Sequence, residues 1–412
     1  MFGTFLEKTQ AILSRSFLFG SFFPTLAFVV VNLTLSAVTF PSSAAAIGAA
    51  LPADATKFTM SVVAGLTAVA ILGFMLGPMV PVFRRIMEGE YLPPSIKKRM
   101  VLAERRRFLT LYSSYTESGA WWKELQHIEK NSQDILGAAR NDVGPRVANT
   151  SDALAHARST KQALDNRLGV RGSGPADKDV ILAAVQTLEA AFRSRRDDAG
   201  QTDVTVLAEL DQMQTELLRL LQERVSHASL DFQLNAAAVR SDFADPDFRP
   251  TLLANRRAAS ERYPLDAYGV DFDFIWPRLR LALIKNKELN DIVDTAQGQL
   301  DFALLSAALS TITTIVWVPL TAIWGDSFPA YLSVIGLGPV AIWFFFQLTI
   351  AAQDAFGAVL STAIDAMRFD LLTVLHRPLP VSLDQERKDW KELQLALYSG
   401  GTDLIRYKHS KP

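Results

Sequence analysis

Three ionisable residues in one helical segment, Asp365, Arg368 and Asp370, are the side chains best placed to do more than fold this chain. Asp365 and Arg368 stand three apart, a spacing that lets a carboxylate and a guanidinium meet on one helical face. They follow a long apolar run, so the pattern predicts an ion pair at a membrane mouth, structural first, with gating as the sharper alternative. A second charged group comprises Arg84, Arg85, Lys97, Lys98, Arg99, Arg105, Arg106 and Arg107, set against only Glu88, Glu90 and Glu104. A run like this fixes orientation and meets headgroups. Its functional reading is anionic-lipid binding, or a vestibule that draws anions toward a pore.

Other constellations fade on inspection. Gly169-x-x-Gly172-x-Gly174 lacks both a preceding strand and a Gly-Lys-Ser/Thr ending, so it reads as a linker rather than a phosphate loop. Asp197-Asp198 and the trio Asp242, Asp245 and Asp247 read as solvated turn acids rather than a cation site. With no cysteine there is no disulfide, thiol catalysis or Cys-ligated metal, and five scattered histidines leave little for a His-based centre. A net charge of -1 argues against nucleic-acid binding through a global positive field. No catalytic, cofactor-binding or metal-ligating residue is expected, and the chain reads as a non-enzyme.

What positions these charges is a set of four segments free of Asp, Glu, Lys and Arg: Phe17–Phe40, Met60–Phe83, Ala303–Gly325 and Phe328–Ala352. Crossing a hydrocarbon core takes about 20 helical residues. The expected fold is therefore an all-α membrane protein, with four transmembrane helices in two hairpins and a cytoplasmic helical bundle. The first run is too long for a signal-peptide core, and residues 2–13 place Phe2, Phe5, Leu6, Thr9, Ile12 and Leu13 on one face, as an interfacial helix would. Lys8 and Arg15 precede the first span and the basic run follows the second. Only Asp54 and Lys57, then Asp326, occupy the two short connections. Both termini and the long middle segment are thus expected in the cytoplasm. The divisions are an interfacial helix (1–16), a first hairpin (17–83), a helical domain (84–300), a second hairpin (301–352) and C-terminal helices (353–412).

Within the polar insert, Pro93-Pro94-Ser95 signals a helix start, with Ser95 as N-cap of a basic helix to about Tyr112 and a second helix from Ala120 to about Arg140. Asp177 heads a helix striped with Ile181, Val185, Leu188 and Phe192, and Asp203 heads one carrying Leu207, Leu210, Leu217, Leu218, Leu221 and Val225. The stretch 245–279 mixes four prolines with aromatics and reads as an ordered loop near the membrane mouth. Residues 279–300 and 353–375 read as helices continuous with the third and fourth spans. Ser382 and Gln385 form a capping box for a last helix with Trp390, Leu393 and Leu397.

Inside the spans, Gly73-x-x-x-Gly77 reads as a close-packing motif, and Pro78 and Pro81 end or kink that helix. Gly336-Leu-Gly338-Pro339 reads as a proline kink. Asn32, Thr34 and Gln347 are expected to bond between helices rather than line a path. No ionisable group lies at depth, which counts against proton- or sodium-coupled transport and intramembrane proteolysis.

Thr251-Leu-Leu-Ala-Asn255, Tyr268-Gly-Val-Asp271, Ile275-Trp-Pro-Arg-Leu279, Asp365-Ala-Met-Arg368-Phe-Asp370-Leu-Leu, Pro378-Leu-Pro380, Glu386 and Trp390 resemble an uncharacterised family of bacterial membrane proteins with this layout. The resemblance implies a bacterial inner membrane and no chemistry. The layout is also similar to that of bestrophin-type anion channels, in topology alone and without their signature residues. Two functions fit: a homo-oligomeric channel or membrane-permeabilising assembly gated by its helical domain, or a membrane-tethered scaffold or sensor. The expected partners are membrane lipids, further copies of the chain and, in the second reading, a cytoplasmic protein.

Overall fold

The computed structural model describes residues 17–41, 45, 54–141, 155–160, 162, 178–194, 204–243, 248–325 and 327–399. No strand occurs among them. The helices are α1 (Leu18–Thr39, opening with a π-type turn to Phe22), α2 (Ala55–Leu76), α3 (Val80–Met87), α4 (Pro94–Asn141), α5 (Lys178–Ser194) and α6 (Val204–Asp242). They continue with α7 (Leu252–Tyr268), α8 (Phe272–Leu283), α9 (Lys287–Trp324), α10 (Phe328–Val374) and α11 (Leu383–Ser399). Four stretches are long and apolar enough to cross a membrane: Leu18–Thr39, Phe58–Met87, Lys287–Trp324 and Phe328–Val374. The interfacial helix expected at 1–16, the Gly169–Gly174 linker, Asp177, Asp197, Asp198, Asp203, Asp245, Asp247 and Asp326 lie outside the described residues.

The chain forms two compact units, one of residues 1–105 with 241–412 and one of residues 106–240. In the second, α4 contributes Trp121, Leu125, Ile128 and Leu136, and α5 contributes Ile181, Val185, Leu188 and Phe192, the stripe that helical spacing predicts. Leu210, Met213, Leu217 and Leu221 of α6 close this core. A Cβ on Gly119 would come within 2.9 Å of the Phe232 ring, and Phe232 stacks on Trp122 with centroids 5.2 Å apart. The small residue therefore lets α4 and α6 approach.

In the first unit α9 and α10 pack side by side, and α1 packs on α9. A Cβ on Gly73 of α2 would stand 3.4 Å from the backbone of Phe22 and Ser21, and one on Gly77 3.6 Å from Ser21 Oγ, so the Gly73/Gly77 motif faces the first span. A 3₁₀ turn at Gly77–Met79 breaks the second span, as Pro78 and Pro81 predict. Trp317 Nε1 donates to Asn32 Oδ1 at 2.6 Å, the expected interhelical bond. Thr34 instead folds back on the Val30 carbonyl, and Gln347 is exposed.

Three local expectations are corrected. Pro94 is the first residue of α4 and Ser95 lies inside it, because proline's fixed φ suits that position and needs no N–H there. The helix also runs unbroken through residues 112–120, where the hydroxyls of Ser113, Ser114, Thr116 and Ser118 fold back on preceding carbonyls. The stretch 245–279 is largely helix: Thr251 Oγ1 accepts from Ala254 N at 3.2 Å to start α7, and Gly269 ends it at φ +73°. Pro264 and Pro277 sit inside α7 and α8, where tertiary packing outweighs their helix-breaking tendency.

Candidate functional site

Where the long apolar helices become polar, α7 lies against α10 and directs its charged side chains to its neighbours. Gly357 makes the approach possible, since a Cβ there would stand 3.2 Å from Ser260 Cβ. Arg256 Nε reaches Asp242 Oδ1 at 2.9 Å, and its Nη1 pairs with Asp354 of α10. Arg257 Nη1 contacts both carboxylate oxygens of Glu88 at 3.1 Å, while its Nε holds Glu261 at 2.8 Å. Arg84 pairs with Asp301 of α9 at 3.7 Å. Asn255, 1% exposed, donates to Glu104 and to the Arg249 carbonyl and accepts from Arg249 N. Burial raises the Glu88 carboxyl above its ordinary value, with Arg257 pulling the other way. Buried charges held this way are costly to unpair, so this belt fixes α3, α7, α9 and α10 in register.

A second cluster lies further along α10. Asp365 accepts the single Tyr263 Oη proton between its two carboxylate oxygens, 2.8 and 2.9 Å from the hydroxyl, and accepts from Tyr268 Oη at 2.7 Å. Both tyrosine hydroxyls are held above their usual value of 10.0, by burial first and then by the carboxylate they bond. The expected Asp365–Arg368 ion pair does not form. Arg368 Nε instead reaches Glu386 of α11 at 3.0 Å, and its guanidinium lies 4.8 Å over Tyr268 and 4.2 Å over Phe369. Its Nη1 donates to the Asp365 backbone carbonyl, so the i, i+3 spacing brings arginine to the main chain rather than to the carboxylate. Glu386 is 3% exposed and also accepts from Trp390 Nε1, while Asp370 faces solvent. Arg387 of α11 donates to the last carbonyls of α7, those of Asp266 and Ala267. The capping box at Ser382 and Gln385 starts α11. Together these bonds tie α7, α10 and α11 into one polar clamp.

The basic run divides. Arg84 and Arg85 are taken up by Asp301 and Glu90, whereas Lys97, Lys98, Arg99, Arg105 and Arg106 are exposed on α4 and meet no carboxylate. Gly336 and Gly338, beside the expected proline kink, have unlike surroundings. Nothing lies within 4 Å of a Cβ on Gly336, while one on Gly338 would stand 2.5 Å from Thr314 Oγ1. Gly338 is therefore a contact glycine between α9 and α10, and Pro339 lies inside α10.

Among the described residues, no group of three or more His, Asp or Glu is placed to hold a metal ion. Asp242, one of the acidic trio, is taken by Arg256. Sequence reasoning missed Arg256, Arg257, Tyr263 and Asp354. The signal was present in Leu252-Leu-Ala-Asn-Arg-Arg-Ala-Ala-Ser-Glu-Arg262, a run of good helix formers behind a threonine cap.

Fold and clamp together define an all-helical protein with four helices compatible with a multi-pass membrane protein. No protein-family model, curated protein or solved structure matches the chain.

Proposed function

We propose that this chain is a non-enzymatic subunit of a homo-oligomeric channel or membrane-permeabilising assembly, gated by its polar helical region. The observation that carries the reading is continuity. The helices α9 and α10 run unbroken from the apolar band into the polar region, and there α7, α8 and α11 grip them through Arg256, Asp365, Arg368 and a shared apolar core. A helix that only anchors does not need to be a rigid extension of the domain it carries. The uncharged helices of one chain give no evident polar path, so the conduit is placed between chains, as in rings closed by repeated subunits.

The proposed setting is the bacterial cytoplasmic membrane with both termini in the cytoplasm. Support comes from the Lys/Arg asymmetry around the spans. The alternative, a tethered scaffold or sensor, is favoured by one observation: the start of α4 exposes Ile96, Leu102 and Leu109 beside its unpaired cations, a surface a partner could cover.

Native mass in lipid nanodiscs separates the two. A closed species of about four or more subunits, followed by conductance that changes in Asp365→Asn, supports the channel. A monomer or dimer refutes it.

A further inference from the structure

Between α1 and α10, where both pack on α9 but barely touch each other, the apolar band contains a cavity of about 340 Å³. Its walls include Phe28 and Leu35 of α1 and Val334 and Phe345 of α10, and its floor is α9. On that floor stand Ser306, Ser310 and Thr313, at the i, i+4, i+7 spacing of one helical face. Every lining residue lies in a segment without Asp, Glu, Lys or Arg. At the rim, Val31 is 46% and Leu337 68% exposed, so the cavity opens sideways between α1 and α10, where hydrocarbon would surround them.

The three floor hydroxyls are unlike their neighbours. Thr25, Thr311, Thr314, Thr321 and Thr349 each return their hydroxyl to a carbonyl four residues back. The hydroxyls of Ser306, Ser310 and Thr313 make no hydrogen bond, although Ser306 is only 7% exposed. An unsatisfied polar group in a low-dielectric surrounding is costly. A bare hydrocarbon chain would fill the volume and leave all three donors unmet.

Depth narrows the occupant. Asp301, paired with Arg84, marks the charged edge of the apolar band. At 1.5 Å per residue Ser310 lies about 13 Å and Thr313 about 18 Å along the helix beyond it, near the middle of a core about 30 Å thick. A phospholipid keeps its phosphate and ester oxygens at the interface and cannot bring them to Ser310. We propose that this cavity binds a neutral, membrane-dissolved lipid: a long apolar body bearing a hydroxyl or carbonyl oxygen, as in a long-chain alcohol or quinone. The apolar walls take the body, and Ser306, Ser310 and Thr313 take the oxygen. The site is complete in one chain and does not depend on the pore reading.

The test uses the full chain in nanodiscs with a long-chain fatty alcohol carrying a photoactivatable diazirine. A phospholipid with the same diazirine on its acyl chain is the control, and labelled residues are mapped by mass spectrometry. The expected result is alcohol labelling at 306–314 and 333–345 well above that on the exposed face of α2, displaced by unlabelled alcohol. Ser306→Ala with Ser310→Ala should weaken that labelling about tenfold. Ala341→Leu, which narrows the cavity without touching a hydroxyl, should do the same in a chain that still folds. Equal labelling of α2 and the cavity, equal labelling by the phospholipid, indifference to both variants, or a cavity filled by a helix of a second copy and closed to the alcohol would each overturn the proposal.

Discussion

Replacing Asp365 by asparagine separates two pictures of the same charged helix. If Asp365 neutralised Arg368, the substitution would strand a cation and cost about 3–5 kcal/mol, as breaking a buried pair does. The structure gives a smaller figure. Arg368 keeps Glu386 at 3.0 Å, and what Asp365 loses is its charge-assisted bonds from Tyr263 and Tyr268. Hydrogen bonds to a charged group are worth about 1.5–3 kcal/mol. Asparagine retains one acceptor oxygen, so the expected loss is about 2 kcal/mol. For a chain of 412 residues that is an apparent Tm lower by about 2 °C. Tryptophan fluorescence, to which the fully buried Trp390 of the adjoining core contributes, follows the transition. A double-mutant cycle assigns the origin: Asp365→Asn should couple to Tyr268→Phe by about 1 kcal/mol and to Glu386→Gln by less than about 0.5 kcal/mol. A larger coupling to Glu386 than to the tyrosine, or no shift in Tm at all, would refute the reasoning.

Gly338→Ala should destabilise by about 1–3 kcal/mol through its clash with Thr314, while Gly336→Ala, with open space around it, should stabilise by about 0.5–1 kcal/mol; thermal scans of both variants test this. Arg257→Met leaves the buried Glu88 carboxylate without its guanidinium partner and should cost about 3 kcal/mol near neutral pH. Because burial already holds the Glu88 carboxyl above its unfolded value, protonation relieves the defect, and the Tm difference from the unsubstituted protein should shrink as pH is lowered. The tyrosine clamp should behave oppositely at high pH. Its hydroxyls titrate higher folded than unfolded, so their contribution is complete below pH 10.0 and is lost as pH rises through the folded values. Alkaline titration followed by tyrosinate absorbance should show two late-ionising groups, absent in the Tyr263→Phe/Tyr268→Phe variant.

The parts of the fold readable from sequence were those with a strong one-dimensional signature. Uncharged runs gave the four long apolar helices, and the stripe Ile181–Val185–Leu188–Phe192 gave the buried face of α5. Depth in the apolar band suggested interhelical bonds for Asn32, Thr34 and Gln347, and of these Asn32 makes one, to Trp317, while the Thr34 hydroxyl bonds within its own helix and Gln347 is exposed. The belt and the clamp were harder because their members are scattered: Glu88, Asp242, Arg256, Asp354, Asp365 and Glu386 reach their separate partners only once their helices have packed. Proline density hid α7, since Pro264 and Pro277 argue locally for a loop and only tertiary contacts override them. The Asp365–Arg368 spacing was correct as geometry, yet spacing says nothing of competitors, and two tyrosines and a glutamate from other helices took the partners.

The length of α10 carries a mechanical consequence. From Phe328 to Val374 it is one continuous helix of about 70 Å along its axis, more than twice the thickness of a hydrocarbon core. The part beyond Ala352 extends about 33 Å. Pivoting at the membrane edge through roughly 5°, well inside the range of tilts helices adopt in bilayers, moves its far tip by about 3 Å. The Arg256 bond to Asp354 lies at the fulcrum and the Asp365 clamp part-way along the arm. Both contacts come from the same neighbour, α7, so a tilt of α10 of this kind would have to carry α7 with it.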